Sequence, residues 1–206
     1  MAVTYPNGKI PAAARLSIDI HGRTLLDPSA RAWLWVVAEV KRRYGWTPEP
    51  STGYTAYRTF AEQDSIFRKY FTTDYNNSAK SDRRVYDGKV WYRRVGFPSA
   101  ATPGYSNHGW GRAVDVSGLQ SFTSTRYKQF KDVATEMGFD NVEGISIEEF
   151  WHWVHDGKKV PPAPPKPKPI PEDDVAPKQP VKLNNDDQAI KVGIWKIGRA
   201  SCRERV

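Results

Sequence analysis

The sequence predicts an α+β fold, a small antiparallel sheet with flanking helices. Three segments place apolar residues at helical spacing behind helix-start signals. Three short runs rich in β-branched and aromatic residues lie among them. With 206 residues, including 8 Trp, 10 Tyr and 8 Phe, the chain can build one core-bearing domain plus a tail.

Residues 1–24 read as irregular or briefly extended, with YPNGKIP as a turn. Asp27 before Pro28 marks a helix start, and the helix runs over SARAWLWVVAEVKRRY to Tyr44, where Gly45 ends it. Leu34, Val37, Ala38 and Lys41 share one face, and the basic KRR lies at the C-terminal end that the helix dipole favours. STGYTAY at 51–57 suits a short buried strand. Thr59 and Glu62 then form a capping-box pattern at the start of TFAEQDSIFRKYF. Residues 74–104 read as a long polar connection, of a length that points to a cover over a working site. RAVDVSG at 112–118 is a strand. The next helix is STRYKQFKDVATEMG, with Tyr127, Phe130, Val133, Ala134 and Met137 as its apolar stripe, and FWHWVH is a last aromatic strand.

From residue 158 the texture changes. The segment 158–180 holds nine prolines in 23 residues, the composition of a semi-rigid linker. Residues 181–196 are too few to fold alone and read as the start of a truncated C-terminal module. Residues 197–206, IGRASCRERV, read as the translation of a sequencing adapter, which would make the sole cysteine, Cys202, no part of the biology.

The formal charge of +8 favours polyanionic surroundings such as nucleic acid, anionic lipid or cell wall. There is no ordered basic stripe or zinc-finger spacing, so a nucleic-acid partner is not expected. AWLWVVA at 32–38 is too short to span a membrane, and the N-terminus lacks a secretory h-region. One cysteine excludes an internal disulfide framework and a cysteine-rich metal site.

The chemistry-bearing residues concentrate late in the chain. In YSNHGWGRAVDVSG, His108 and Asp115 stand seven apart across Gly109 and Gly111, which permit a close backbone approach. Asp115 alternates with Val114 and Val116, and an aspartate between buried valines needs a cationic or metal partner. In EEFWHWVH, Glu149 is placed to act as a base and His152 to complete a His/Asp/His set, with His155 competing for that role. Strand alternation would put residues 149 and 152 on opposite faces, so the strand must begin after Glu149 or bend there. His21 lacks any such context. Arg58, at the entrance to a helix, is suited to a bidentate hold on a carboxylate or carbonyl. Trp110, Trp151 and Trp153 are candidates for a groove lining.

Three motifs in order, YRTFAEQ, SNHGWGRAVD and EFWH, resemble the D-alanyl-D-alanine carboxypeptidase and L-alanyl-D-glutamate endopeptidase zinc peptidases, a family that includes many phage endolysins. The resemblance covers roughly residues 10–157. It implies a catalytic domain over 1–157 with this family's α+β fold, shared with hedgehog-like domains. It makes His108, Asp115 and His152 the ligands of one Zn2+, and it demotes His155. It makes Glu149 the catalytic base and Arg58 a catalytic and substrate-binding group, with Ser106 a further substrate contact; among the groove-lining tryptophans, Trp153 is the one expected at the substrate. Thr59 departs mildly from the serine common at that position. The implied substrate is bacterial peptidoglycan, cut at a stem-peptide bond by a monomer. An endolysin would be made in the host cytoplasm and reach the wall through a holin-type lesion, and its linker would carry a C-terminal module, truncated here, that binds cell wall. A non-enzymatic wall-binding module is the competing expectation.

Overall fold

The computed structural model describes residues 4–161. The linker beyond residue 161, the expected truncated module and the adapter-like segment lie outside the described residues. The elements are β1 (Arg15–Ser17), β2 (Thr24–Leu26), α1 (Asp27–Tyr44), α2 (Phe60–Tyr70), β3 (Phe71–Thr72), β4 (Ser78–Tyr86), β5 (Lys89–Arg94), β6 (Ala113–Asp115), α3 (Thr125–Ala134), β7 (Phe139–Asp140), α4 (Val142–Ser146) and β8 (His152–His155). They belong to one compact unit, Met1–Ala163. The class is α+β: β1 and β2 pair as a small ribbon, and two three-stranded antiparallel sheets run β3-β5-β4 and β6-β8-β7.

The main core lies between α1, α3 and the β6-β8-β7 sheet. Trp33 of α1 packs against Phe130 and Phe139 at ring-centroid distances of 6.0 and 6.2 Å, and Val36 and Val40 are wholly buried beside it. Each such side chain contributes about 1.5–3 kcal/mol on leaving water. The buried face of α1 is therefore Trp33, Val36 and Val40. Leu34, expected on that face, is 45% exposed, because an indole placed inward turns its neighbour out by one helical step. Gly45 ends α1 in the left-handed region at φ 77°, and Leu26 rather than Asp27 is the cap, with Asp27 in the first turn. The expected stripe of α3 is buried at Tyr127, Phe130, Val133 and Ala134, with Met137 packed at its edge, and the Ser124 hydroxyl caps the helix by accepting from Tyr127 N–H at 3.2 Å. The Thr59–Glu62 capping box forms in full at the start of α2.

Two expectations fail. Residues 51–57 are not a strand. They form an irregular segment joined crosswise to its neighbours: Ser51 N–H donates to Asp115 C=O, Asp115 N–H to Thr55 C=O and Tyr57 N–H to Thr24 C=O. Backbone groups so divided between partners cannot form a ladder with one strand. The connection 74–104 contains a β-hairpin, β4–β5, closed by Asp87 and Gly88, both in the left-handed region at φ 51° and 67°. Its inner face packs Trp91 and Tyr86 on Phe67 of α2, and Phe67 stacks on Phe71 at 4.6 Å. The segment after the hairpin, Pro98–Ala101, borders the groove described below, and Arg84 of β4 reaches its continuation. Among the described residues no helix is long and apolar enough to cross a membrane.

Candidate metal and catalytic site

The site is built across one strand pair. β6 and β8 are antiparallel with Asp115 opposite His152, and residues directly opposed in such a pair share a face. Asp115 Oδ1 thus lies 2.9 Å from His152 Nδ1. Val114 and Trp153, one step along, point to the other face and into the core. The strand begins at His152, after Glu149, as the alternation argument requires.

His108 arrives from the tight loop 105–112. That loop is tied to the N-terminal segment: Gly8 N–H donates to Gly109 C=O at 2.8 Å, Leu26 N–H to Gly111 C=O at 3.0 Å, and the Asn7 amide to Ser106 C=O at 2.7 Å. A Cβ on Gly109 would fall on the Asn7 side chain, and Gly111 is left-handed at φ 63°, so both positions require glycine. His108 Nδ1 lies 2.9 Å from Ala56 C=O; an N–H there leaves Nε2 as the lone-pair nitrogen, 3.4 Å from Asp115 Oδ1.

His108, Asp115 and His152 each offer a ligand atom, and these atoms all lie within 4.8 Å of one another. The second nitrogen of each histidine is held as well: His108 by Ala56, and His152 Nε2 by the Glu143 carboxylate at 3.2 Å. Two imidazoles and a carboxylate, each oriented from behind, are a donor set that can bind a metal ion. Glu143, on α4, also accepts from the Asn107 amide at 2.6 Å. Sequence reasoning missed Glu143 and Asn107. The signal for Glu143 is faint, one glutamate on a five-residue helix nine positions before the histidine it holds.

The electrostatics follow from burial and pairing. Burial pushes the His108 imidazole pKa below its ordinary value, so the ring is neutral. Burial opposes ionisation of Asp115, but the hydrogen bond from the charged His152 outweighs it and holds the carboxyl well below the usual range. Burial likewise opposes charge on His152, yet hydrogen bonds to Asp115 and Glu143 raise its pKa to about 9. Burial pushes the Glu149 carboxyl up, aided by the neighbouring Asp115 and Glu143 carboxylates and opposed by His152 and Arg58.

A groove runs over these residues, lined by Arg58, Ser106, His108, Asp115, Glu149, Trp151 and His152. It continues on one side past Arg58 along Tyr54, Ile66, Lys69 and Tyr70, and on the other past Glu149 along Ala101, Tyr105 and Ile147. Glu149 is aimed by the turn before β8. Glu148 adopts a left-handed φ of 62°, and Asn141, itself held by Tyr127 Oη at 2.9 Å, donates to Glu149 C=O and His152 C=O. Gly144 sits under this turn, where a Cβ would strike Asn141 and the Glu149 carbonyl. Arg58 donates to Tyr54 C=O at 2.8 Å and to the Gln63 amide oxygen at 2.7 Å, and Gln63 in turn donates to Ala101 C=O. No carboxylate pairs with Arg58 among the described residues, so its charge faces the groove.

Several aromatic and histidine expectations are settled by burial. Trp153, expected at the substrate, is fully buried between Phe130 and Tyr127, because alternation turns it away from His152. Trp151 lines the groove in its place. His155 is no alternative ligand: it is buried on the core side against Phe139, with Nδ1 3.0 Å from the Ser29 hydroxyl and Nε2 3.0 Å from Lys159 C=O. Ser106 lies in the groove wall, its hydroxyl accepting from His108 N–H at 3.2 Å.

No protein-family model matches the chain, and no curated protein does. Solved structures do. The LdcB LD-carboxypeptidase aligns at 21% identity over 74% of this chain and 72% of its own, with a TM-score of 0.50. The two chains share a fold. VanYB in complex with D-alanine-D-alanine aligns at 20% identity over 74% of this chain and 84% of its own, with a TM-score of 0.43. A mutant VanY D,D-pentapeptidase in complex with Zn(II) aligns at 20% over 71% and 82%, also at 0.43.

Proposed function

We propose that the protein is a zinc-dependent peptidase that hydrolyses a stem-peptide bond of bacterial peptidoglycan. The observation that carries this reading is the convergence of His108, Asp115 and His152 on one point beside Glu149 and Arg58. These residues come from three separate motifs, and they meet on a fold shared with a peptidoglycan carboxypeptidase.

His108 Nε2, Asp115 and His152 Nδ1 would hold the ion. Bound there, zinc supplies Lewis-acid polarisation of the scissile carbonyl and lowers the pKa of the attacking water. Neutral His108 keeps its lone pair available, and Asp115 stays ionised. Glu149, half-buried with its pKa raised, takes the water proton as attack proceeds and delivers it to the leaving amine. Arg58, fixed by Tyr54 and Gln63, presents its guanidinium to the oxygen that becomes negative. Ser106 and Trp151 flank the peptide.

The groove continues on both sides of the site, which favours a substrate whose chain extends past the scissile bond and so an L-alanyl-D-glutamate endopeptidase cut. Within this reading the chain is an endolysin, its peptidase unit followed by the proline-rich 158–180 linker. The test is digestion of purified peptidoglycan by zinc-loaded protein, with the fragments identified by mass. New N-terminal D-glutamate or D-isoglutamine marks the endopeptidase. Free D-alanine marks a carboxypeptidase, and wall binding without release would leave only a binding module.

A further inference from the structure

We propose that the outer face of the β3-β5-β4 sheet is a second binding surface, separate from the groove, for an anionic polyol-phosphate polymer of the cell wall. The choice of a wall polymer rests on the proposed function; the surface itself rests on charge and register.

The segment Ser78–Arg94 carries six basic and two acidic residues, a formal +4. Residues 1–157 as a whole carry 20 basic and 17 acidic residues, a formal +3, so the hairpin accounts for the entire excess. Both hairpin acids are already engaged. Asp82 pairs with Arg84 at 2.6 Å and Arg93 at 3.3 Å, and Asp87 lies 3.6 Å from Arg68. Lys80, Arg83, Lys89 and Arg94 have no carboxylate within ion-pair distance among the described residues. Asp74, whose field reaches Arg94, is taken up by Asn76 N–H and the Asn77 amide.

Register and aromatic packing together bring three of these cations into one patch. Arg83 stands opposite Tyr92, and Ser78 opposite Arg94, so Arg83, Tyr92 and Arg94 share one face, about 7–8 Å between diagonal neighbours. Tyr75 packs on Tyr92 with ring centroids 5.1 Å apart, and Lys80 Nζ sits 4.9 Å over the Tyr75 ring. The opposite face, with Trp91 and Tyr86, is covered by α2, whereas Tyr75 is 51% exposed and Lys80 and Arg83 face solvent.

A row of unneutralised cations beside phenolic hydroxyls fits a flexible chain of phosphodiesters and hydroxyls. A single-stranded nucleic acid fits less well. Its bases need open ring faces, and here one face of Tyr75 is capped by Lys80 while the two tyrosines close edge-to-face on each other.

The test compares the full chain with the K80Q/R83Q/R94Q variant in co-sedimentation with intact walls and with walls stripped of phosphate polymer. Hydrolysis of a soluble stem peptide is followed in parallel. Wild type should bind intact walls at least about tenfold more tightly than stripped walls. The variant should lose that difference, and its salt slope should fall by about 2, at roughly 0.7 per lost phosphate contact. R83K/R94K should retain binding, and peptide hydrolysis and thermal unfolding should be unchanged. Equal sedimentation of wild type and variant, equal binding to both wall types, or tighter capture by a single-stranded oligonucleotide would overturn the proposal. Absence of peptide hydrolysis with hairpin-dependent wall binding would instead overturn the peptidase reading.

Discussion

Metal binding must displace a proton, and the structure says which one. In the metal-free site, the two hydrogen-bonded carboxylates, Asp115 and Glu143, overcome burial and raise the His152 pKa to about 9. His108 is held neutral and Asp115 ionised, so at neutral pH only His152 competes with the ion. At pH 7 it is two units below its pKa, a bias of about 100:1 toward imidazolium, worth about 2.7 kcal/mol against binding. The apparent zinc affinity should therefore rise about tenfold per pH unit between pH 7 and 9 and level off above. Chelator competition across that range measures the slope, and calorimetry in buffers of different ionisation enthalpy should count one proton released per ion. A slope near zero, or near two, would refute the assignment of a single charged imidazole. The same shift sets a stability signature. A raised histidine pKa stabilises the metal-free fold below about pH 6.5, and that contribution is lost as pH rises through about 9.

Three further outcomes follow from the geometry. Trp153→Ala should cost about 3–5 kcal/mol in chemical denaturation, as a cavity in the core, whereas Trp151→Ala should leave stability nearly unchanged and raise KM. Gly144→Ala forces a methyl onto Asn141 and the Glu149 carbonyl; about 1–3 kcal/mol should be lost in thermal unfolding, and on the proposed function activity should fall as well, because Glu149 is displaced. In the metal-free protein the Glu149 carboxyl should titrate above the ordinary carboxylate range, as followed by carboxyl carbon NMR. A midpoint at or below pH 4 would contradict the burial that raises this carboxyl.

Much of the site was legible because its residues lie within short motifs whose local geometry is strict. The glycines around His108, the alternation at Asp115 and the strand start at His152 each follow from one or two neighbours. Trp153 was misread although the alternation that places His152 in the site places Trp153 in the core; aromatic character alone says nothing about facing. Glu143 and Asn107 could not be read, since their value arises only when α4 folds over β8. The hairpin was legible and missed: Asp87-Gly88 between Val85 and Val90 is the dipeptide a type I′ turn prefers, and the length of 74–104 masked it. The 51–57 segment misled because its apolar residues mimic a strand, while its backbone partners are divided among Thr24, Asp115 and the His108 side chain.

On the proposed function, Glu149 supplies base chemistry to a metal held by other residues. Zinc content and peptidoglycan hydrolysis measured on one preparation of the Glu149→Gln variant test it directly. One zinc per chain is expected, as in wild type, with hydrolysis reduced by a factor of at least about 100. Full hydrolysis by that variant, or loss of its zinc, would contradict it.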